Sequence, residues 1–349
     1  MSAPDPFAGI DEELRALVRA CCDRDVARLE RLSGSGLAHR RFYRVHLASG
    51  EPLTLIARVD RGEPAPGVPP EPPLEATRSF LEAHGLPVPR RLGGNAARAI
   101  ELIEDLGDSA LADVVCGADA AERRALYEEA CDLVPRLQRL ADPSGRVPAF
   151  TRHLDAPLFR LKATRFARSG LPAALGRAAR DTERDVVFAA FDAVAEAAAR
   201  APQRLAHRDF QSKNLIVRAG APAGRRVAMI DLQGAFLAAP EYDLVCLLRD
   251  SYVELPDSES RALAERVRAV LPDAPDAATF EQRFDLLTVT RKGKDYALFH
   301  EVASRGDDSW LRYAPATLGY LRCALARVAA LDARLARLRD LLGDDACAQ

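Results

Sequence analysis

The chain has 349 residues, 48% hydrophobic and 29% charged, with a formal net charge of −2. That length can bury two cores, and the near-neutral balance supplies no global basic field, which argues against a nucleic-acid partner. No apolar run reaches the ~18 residues of a membrane span, and no basic segment precedes an apolar run at the N-terminus, so the expectation is a cytoplasmic protein with no membrane partner.

Asp11 reads as the N-cap of a first helix, with Glu12 and Glu13 in its first turn and Leu14, Leu17, Val18 and Cys21 at helical spacing. In LSGSGLAHRRFYRVHLASGEPLTLIARVD, Phe42, Arg44 and His46 alternate with Tyr43, Val45 and Leu47. After the turn ASGEP, Leu53, Leu55, Ala57 and Val59 alternate with Thr54, Ile56 and Arg58. The pattern is strand, turn, strand. DRGEPAPGVPPEPP holds six prolines and is a loop. A helix LEATRSFLEAHG ends at Gly85, and LPVPRRLG and ARAIELIEDLG form a further strand region.

Beyond Gly107 the pattern changes. Long Ala/Leu/Arg helices are predicted from about 109 to 200, broken at ADPSGRVP. Two short apolar strands, NLIV and RVAMIDL, flank the turn RAGAPAGR, and from YDLVCLLRDSYV onward the chain is helical again. Leu318, Leu321, Leu325, Val328, Leu331, Leu335, Leu338 and Leu342 give one apolar stripe, read as a single last helix ended by Gly343. The fold class is α+β: a small sheet-bearing part over 1–104, and a mainly helical part over 105–349. The seven cysteines are scattered without a C-x-x-C pair, which argues for reduced core residues rather than disulfides or zinc.

The chemistry concentrates in LAHRDFQSKNLIV, residues 205–217, where His207, Asp209 and Asn214 form H-x-D-x-x-x-x-N. Seventeen residues past Asn214, Asp231 ends the second strand of the hairpin in AMIDLQG. Asn and Asp each offer oxygen to a hard cation, and Asp209 is left to accept a proton from an attacking hydroxyl. A base, an amide ligand and a carboxylate ligand are the parts that phosphoryl transfer from Mg·ATP requires. Asp and Asn are also ordinary turn residues, and it is the order and spacing of the three that lift them above chance. Only four of the 49 Lys and Arg residues are lysine, Lys162, Lys213, Lys292 and Lys294, consistent with a coding bias toward arginine.

HRDFQSKN, followed by MIDLQG and then PEYDLVCLLRD, resembles the aminoglycoside phosphotransferase family of small-molecule kinases. Within it, HRRFYRV, IELIEDLG, the Gln233 after Asp231, and RKGKDYALFHEVASRGDDSWLRYAPATLGYLR are most similar to the anomeric kinases of N-acetylmuramate and N-acetylglucosamine. The resemblance spans roughly residues 28–325. It implies a two-lobed protein-kinase-like fold that uses ATP and Mg²⁺ on a small-molecule sugar or amino-alcohol, as a monomer. It implies Asp209 as the catalytic base or hydroxyl-orienting group, Asn214 and Asp231 on Mg²⁺, and His207 and Asp243 as supports of the loop. Backbone groups of Glu101, Leu102 and Ile103 would meet adenine at a hinge.

One departure stands out. The family's strand lysine that holds phosphates has no counterpart, since no lysine precedes Lys162. Arg58, facing the cleft or solvent opposite Leu55, Ala57 and Val59, is the candidate clamp, with Arg41 or Arg40 as alternatives and Glu75 as the partner on the following helix. The glycines of SGSGLAHRR are a weak phosphate cradle. Gln233, Arg291 and Lys294 are candidate acceptor contacts; the cations of RKGKD suit a carboxylate, or else form a solvated helix face. Two other readings stay open: a kinase of the same fold for an aminoglycoside, choline or homoserine, and a nucleotide-binding pseudokinase without turnover.

Overall fold

The structure, a computed structural model, describes residues 5–32, 40–61 and 72–343. The chain divides into two compact units: Met1–Asp108 with Ala228–Gln233, and Ser109–Val227 with Gly234–Gln349.

The first unit opens with α1 (Ile10–Cys22). Gly9, at φ 73°, occupies the N-cap, two residues before the expected Asp11, and Asp11, Glu12 and Glu13 fill the first turn. Strands β1 (Val26–Leu32), β2 (Arg40–Leu47) and β3 (Thr54–Asp60) follow, then α2 (Leu74–Ala83), β4 (Arg91–Asn95) and β5 (Ile100–Glu104). They form an antiparallel sheet in the order β1-β2-β3-β5-β4. Period-two alternation puts Tyr43, Val45, Leu47, Leu55, Ala57 and Val59 on one buried face, where they pack with Leu14 and Val18 of α1. The glycine-containing loop 33–39 and most of the proline-rich loop lie outside the described residues.

β1 has no counterpart among the expected elements. Its apolar residues Val26, Leu29 and Leu32 are spaced by three, which reads as helix, because a register shift between Val26 and Arg28 breaks the two-residue period. As an edge strand it carries Arg28, Glu30 and Arg31, charges that discourage pairing with another chain.

The second unit is mainly helical: α3 (Leu111–Gly117), α4 (Ala120–Cys131), α5 (Leu133–Gln138), α6 (Ala156–Arg165), α7 (Leu171–Leu175) and α8 (Asp181–Arg200). After them come short strands β6 (Arg204–Ala206) and β7 (Leu215–Val217), then β8 (Val227–Met229), in which the chain leaves this unit. The Arg218 N–H donates to the Arg226 carbonyl at 2.8 Å and closes the turn after β7. β9 (Phe236–Ala238) pairs antiparallel with β6. Helices α9 (Tyr242–Leu248), α10 (Asp257–Arg268), α11 (Ala277–Ala303), α12 (Ala314–Val328) and α13 (Ala333–Leu342) complete it.

The long leucine stripe is two helices rather than one. The first ends at Val328 and passes into a short 3-10 turn, Ala329–Leu331; Asp332 caps the second, its carboxylate accepting from the Arg334 N–H, and Leu331 at the break is 51% exposed. Gly293 sits mid-helix in α11, where a Cβ would come within 3.0 Å of Phe191 Cζ. The glycine costs helix propensity but lets the aromatic rings of Phe191 and Phe166 close against the segment that carries Arg291, Lys292 and Lys294.

Candidate active site

In the second unit, the loop 207–214 leaves β6 and is fixed by two buried carboxylates. Asp243 accepts from the backbone N–H of His207 at 2.7 Å and of Arg208 at 3.1 Å. Asp250 accepts from the backbone N–H of Ser212 at 2.7 Å and from the Ser212 hydroxyl. The two are seven residues apart, two helical turns, so α9 and the residues after it present both to the same loop. Asp243 is an anchor rather than an N-cap, since Glu241 holds that position. Burial first, then the Asp209 charge, pushes the Asp243 carboxyl up to about 6, while the His207 and Arg208 donors pull it down. Arg208 is held at φ 82°, a left-handed conformation that costs an arginine energy and that the paired N–H bonds stabilise. Gly234 makes room for its guanidinium, since a Cβ there would lie 3.1 Å from Arg208 Nη1.

Held in this way, Asp209 meets Arg291 of α11, whose Nη1 donates to Oδ1 at 2.9 Å. Arg291 is 2% exposed and is otherwise occupied by Gln211, by the Arg208 carbonyl and by Asp295, whose Oδ2 lies 3.2 Å from Nε. Burial is the largest effect on Asp209 and raises its carboxyl, but Arg291, Arg208 and Lys294 together outweigh it and hold the group well below the usual range. Asp295 is surrounded likewise by Arg291, Lys292 and Lys294. RKGKD is therefore no solvated face. Arg291 and Lys292 are buried, and Arg291 is committed to carboxylates of the chain itself, which corrects its expected place as a direct acceptor contact. Lys294 pairs with Asp295 at 2.9 Å. Asn214 donates its amide nitrogen to the Asp209 carbonyl at 2.9 Å, which orients Oδ1 as the oxygen left for a ligand.

In the first unit, Asp231 also adopts a left-handed conformation, φ 65°. Gln233, 3% exposed, donates its amide to Asp231 Oδ1, and Arg40 Nη1 lies 3.8 Å from the same oxygen. Gln233 thus orients a carboxylate of its own chain, a role its position next to Asp231 did not suggest. Asp231 Oδ2 keeps no protein partner among the described residues.

Arg58 does not face solvent. It is 6% exposed, its Nη1 donating to Glu101 at 2.7 Å and Nη2 to Asp60 at 2.6 Å. Glu75, expected as its partner, pairs instead with Arg78 at 2.7 Å. Arg40 and Arg41 are the first residues of β2, not of a loop. Arg41 stacks on Phe7 at 3.7 Å and lies 3.5 Å from Asp5. The expected adenine contacts need correcting. β5 lies between β3 and β4, so the backbone of Glu101, Leu102 and Ile103 is spent on two ladders, and backbone free of them begins at Asp105.

Sequence reasoning passed over Asp250, Asp295 and Lys162. Asp250 was legible as an acidic residue seven positions after Asp243, past the apolar run Leu244–Leu248. Lys162 was not, because its partner lies 80 residues away: its Nζ donates to the Tyr242 hydroxyl at 3.1 Å. No helix among the described residues is long and apolar enough to cross a membrane, and no cluster of three or more His, Cys, Asp or Glu there is arranged for a metal.

The family model described as "Phosphotransferase enzyme family" matches residues 29–279. An N-acetylmuramate/N-acetylglucosamine kinase of Pseudomonas aeruginosa is 28% identical over 268 residues, 73% of this chain and 75% of that protein. A choline kinase from Streptococcus pneumoniae superposes with a TM-score of 0.62 at 12% identity, covering 90% of this chain and 99% of that one. A streptomycin–ATP ternary complex of an aminoglycoside 2″-phosphotransferase gives 0.54 at 16% identity, over 89% and 97%. The last two likenesses are of fold.

Proposed function

The chain belongs to the phosphotransferase enzyme family, with its protein-kinase-like fold and its transfer of phosphate to a hydroxyl, and from that premise we propose that it phosphorylates the anomeric hydroxyl of N-acetylmuramate or N-acetylglucosamine from Mg·ATP. The observation that carries the reading is the pairing of half-buried Asp209 with buried Arg291, a carboxylate kept ionised in a loop anchored by Asp243 and Asp250.

Asp209 is a weak base. It accepts a hydrogen bond from the acceptor hydroxyl, orients its oxygen, and takes the proton late, as a loose phosphoryl-transfer transition state demands. An anomeric hydroxyl is more acidic than an ordinary alcohol and tolerates so weak a base. His207 and Asp243 hold the loop. Asn214 through Oδ1 and Asp231 through Oδ2 are assigned to Mg²⁺, and the donor chemistry fits a hard cation. Bound there, the ion would neutralise charge on the phosphate oxygens. Arg58, with Arg41 as the alternative, is assigned to phosphate. Among the described residues Arg58 Nη1 and Nη2 are taken by Glu101 and Asp60 and Nε has no partner, so a phosphate contact uses Nε or displaces one of the two carboxylates.

The relative's acceptors supply the sugar, and the charge around Asp209 supports it: Arg208, Arg291 and Lys294 disfavour a polycationic aminoglycoside. A choline-type acceptor is the second reading, because Tyr252, Trp310 and Tyr313 form an aromatic cluster of the kind that holds quaternary ammonium. Lys213 Nζ already lies 4.5 Å from the Tyr252 ring centre, which counts against it. The test is ³¹P NMR with Mg·ATP and each sugar. A sugar 1-phosphate resonance growing with ADP is the expected result. Intact ATP with both sugars, and turnover of choline or an aminoglycoside, would reject the sugar.

A further inference from the structure

Arginine serves nearly every basic position in this chain, yet Lys162 is lysine. It lies on α6, half-buried, with its ammonium 5.2 Å from the Phe159 ring centre and 4.8 Å from that of Tyr242. Its one hydrogen bond goes to the Tyr242 hydroxyl at 3.1 Å, and no carboxylate among the described residues pairs with it. The Arg291 charge, which holds Asp209, acts in turn on the Tyr242 hydroxyl, so Tyr242 and Arg291 are the side chains between the amine and the reacting carboxylate. Burial first, then the charges of Arg291 and Lys294, push the Lys162 amine down to about 7. A partly desolvated cation that faces other cations and leaves two N–H donors without acceptors among the described residues is costly, and the Phe159 and Tyr242 rings offset it only in part. An anion set against those donors would offset the remainder. Packing alone would be met by methionine or leucine at this position.

We propose that Lys162 is the specificity-determining residue that receives a carboxylate carried by the acceptor, with Lys294 lending charge. The inference rests on the sugar-kinase reading, in which N-acetylmuramate has a lactyl carboxylate and N-acetylglucosamine has none. A carboxylate bound here is fixed relative to Asp209 through Tyr242 and Arg291, so the same contact that selects the substrate also aligns its hydroxyl.

The experiment compares kcat/KM for the two sugars in the wild-type protein, Lys162→Met and Lys162→Arg. The expected result is a fall of about tenfold or more in the preference for N-acetylmuramate in Lys162→Met, expressed in KM, and its recovery to within about threefold in Lys162→Arg, as one charged hydrogen bond implies. If the rates on both sugars fall in equal proportion, Lys162 is structural and the proposal fails. If the wild-type protein phosphorylates neither sugar, the acceptor reading falls on its own, and D-lactate then serves as the probe. Saturation-transfer NMR that detects D-lactate on the wild-type protein but not on Lys162→Met upholds the carboxylate subsite. Equal signals, or none on either, overturn it.

Discussion

Replacing Arg291 by methionine isolates the electrostatics of the site. The apolar stem is kept, but the contacts to Asp209, Gln211, Asp295 and the Arg208 carbonyl disappear together. Asp295 retains Lys292 and Lys294, whereas Asp209 keeps only Arg208 Nε at 3.5 Å. The loss is therefore dominated by one half-buried carboxylate deprived of its main counter-charge, with Arg208 and the charge of Lys294 remaining, worth roughly 1–3 kcal/mol. The sign with pH follows. In the wild-type protein the Asp209 carboxyl is depressed, so its stabilisation is fully present above the unfolded value and is lost only in strong acid. In the variant, burial acts without its main counter-charge and the folded carboxyl rises above the unfolded one, so a penalty grows as pH increases. Urea denaturation of both proteins at pH 5 and pH 8 is the assay. The gap in midpoint is expected to be wide at pH 8 and to narrow at pH 5. A gap below about 1 kcal/mol, or one of equal size at both pH values, would refute the reasoning.

Asp209→Asn is expected to lower kcat by about 10²- to 10⁴-fold in an ADP-release assay, and turnover within about tenfold of the parent would remove Asp209 from its role. Asp243→Asn replaces one of two acceptors by a donor facing an N–H; kcat is expected to fall about 10- to 100-fold, and the acid limb near pH 6 in the wild-type rate profile to vanish with the carboxyl. An unchanged acid limb would assign it to another group. Glu241 is fully buried, faces Arg283 at 3.7 Å, and is raised by burial to about 7. An acid raised on folding contributes most at low pH and loses roughly 3 kcal/mol as pH climbs through that value, so Glu241→Gln should raise Tm at pH 8 and leave it nearly unchanged at pH 5.

What could be read from the sequence depended on how locally each feature is determined. β2 and β3 follow from alternation because one face is buried and the other is not. β1 escaped because a register shift disguised it with helical spacing, and the α12–α13 break escaped because Asp332 interrupts a stripe whose leucines continue in phase. The loop residues His207, Asp209 and Asn214 stand out by spacing, and the structure adds what tertiary packing alone supplies: Asp243 and Asp250 reaching back more than 30 residues, and Arg291 more than 80, to hold them. The adenine contacts were misplaced for a topological reason. Only the sheet order reveals that β5 is interior.

The scarcity of lysine has a practical side. Acylating reagents attack free amines and ignore guanidinium groups, so on this protein they meet four side chains, all in the second unit: two on α11, one in the loop beside Asn214 and one against Tyr242. Lys213 is exposed, and burial with the charges of Arg291 and Lys294 pushes the Lys162 amine down to about 7, which favours its acylation. A surface built from arginine leaves such chemistry few other targets, and mass spectrometry of the labelled chain becomes a map of the surroundings of loop 207–214 without any engineered tag.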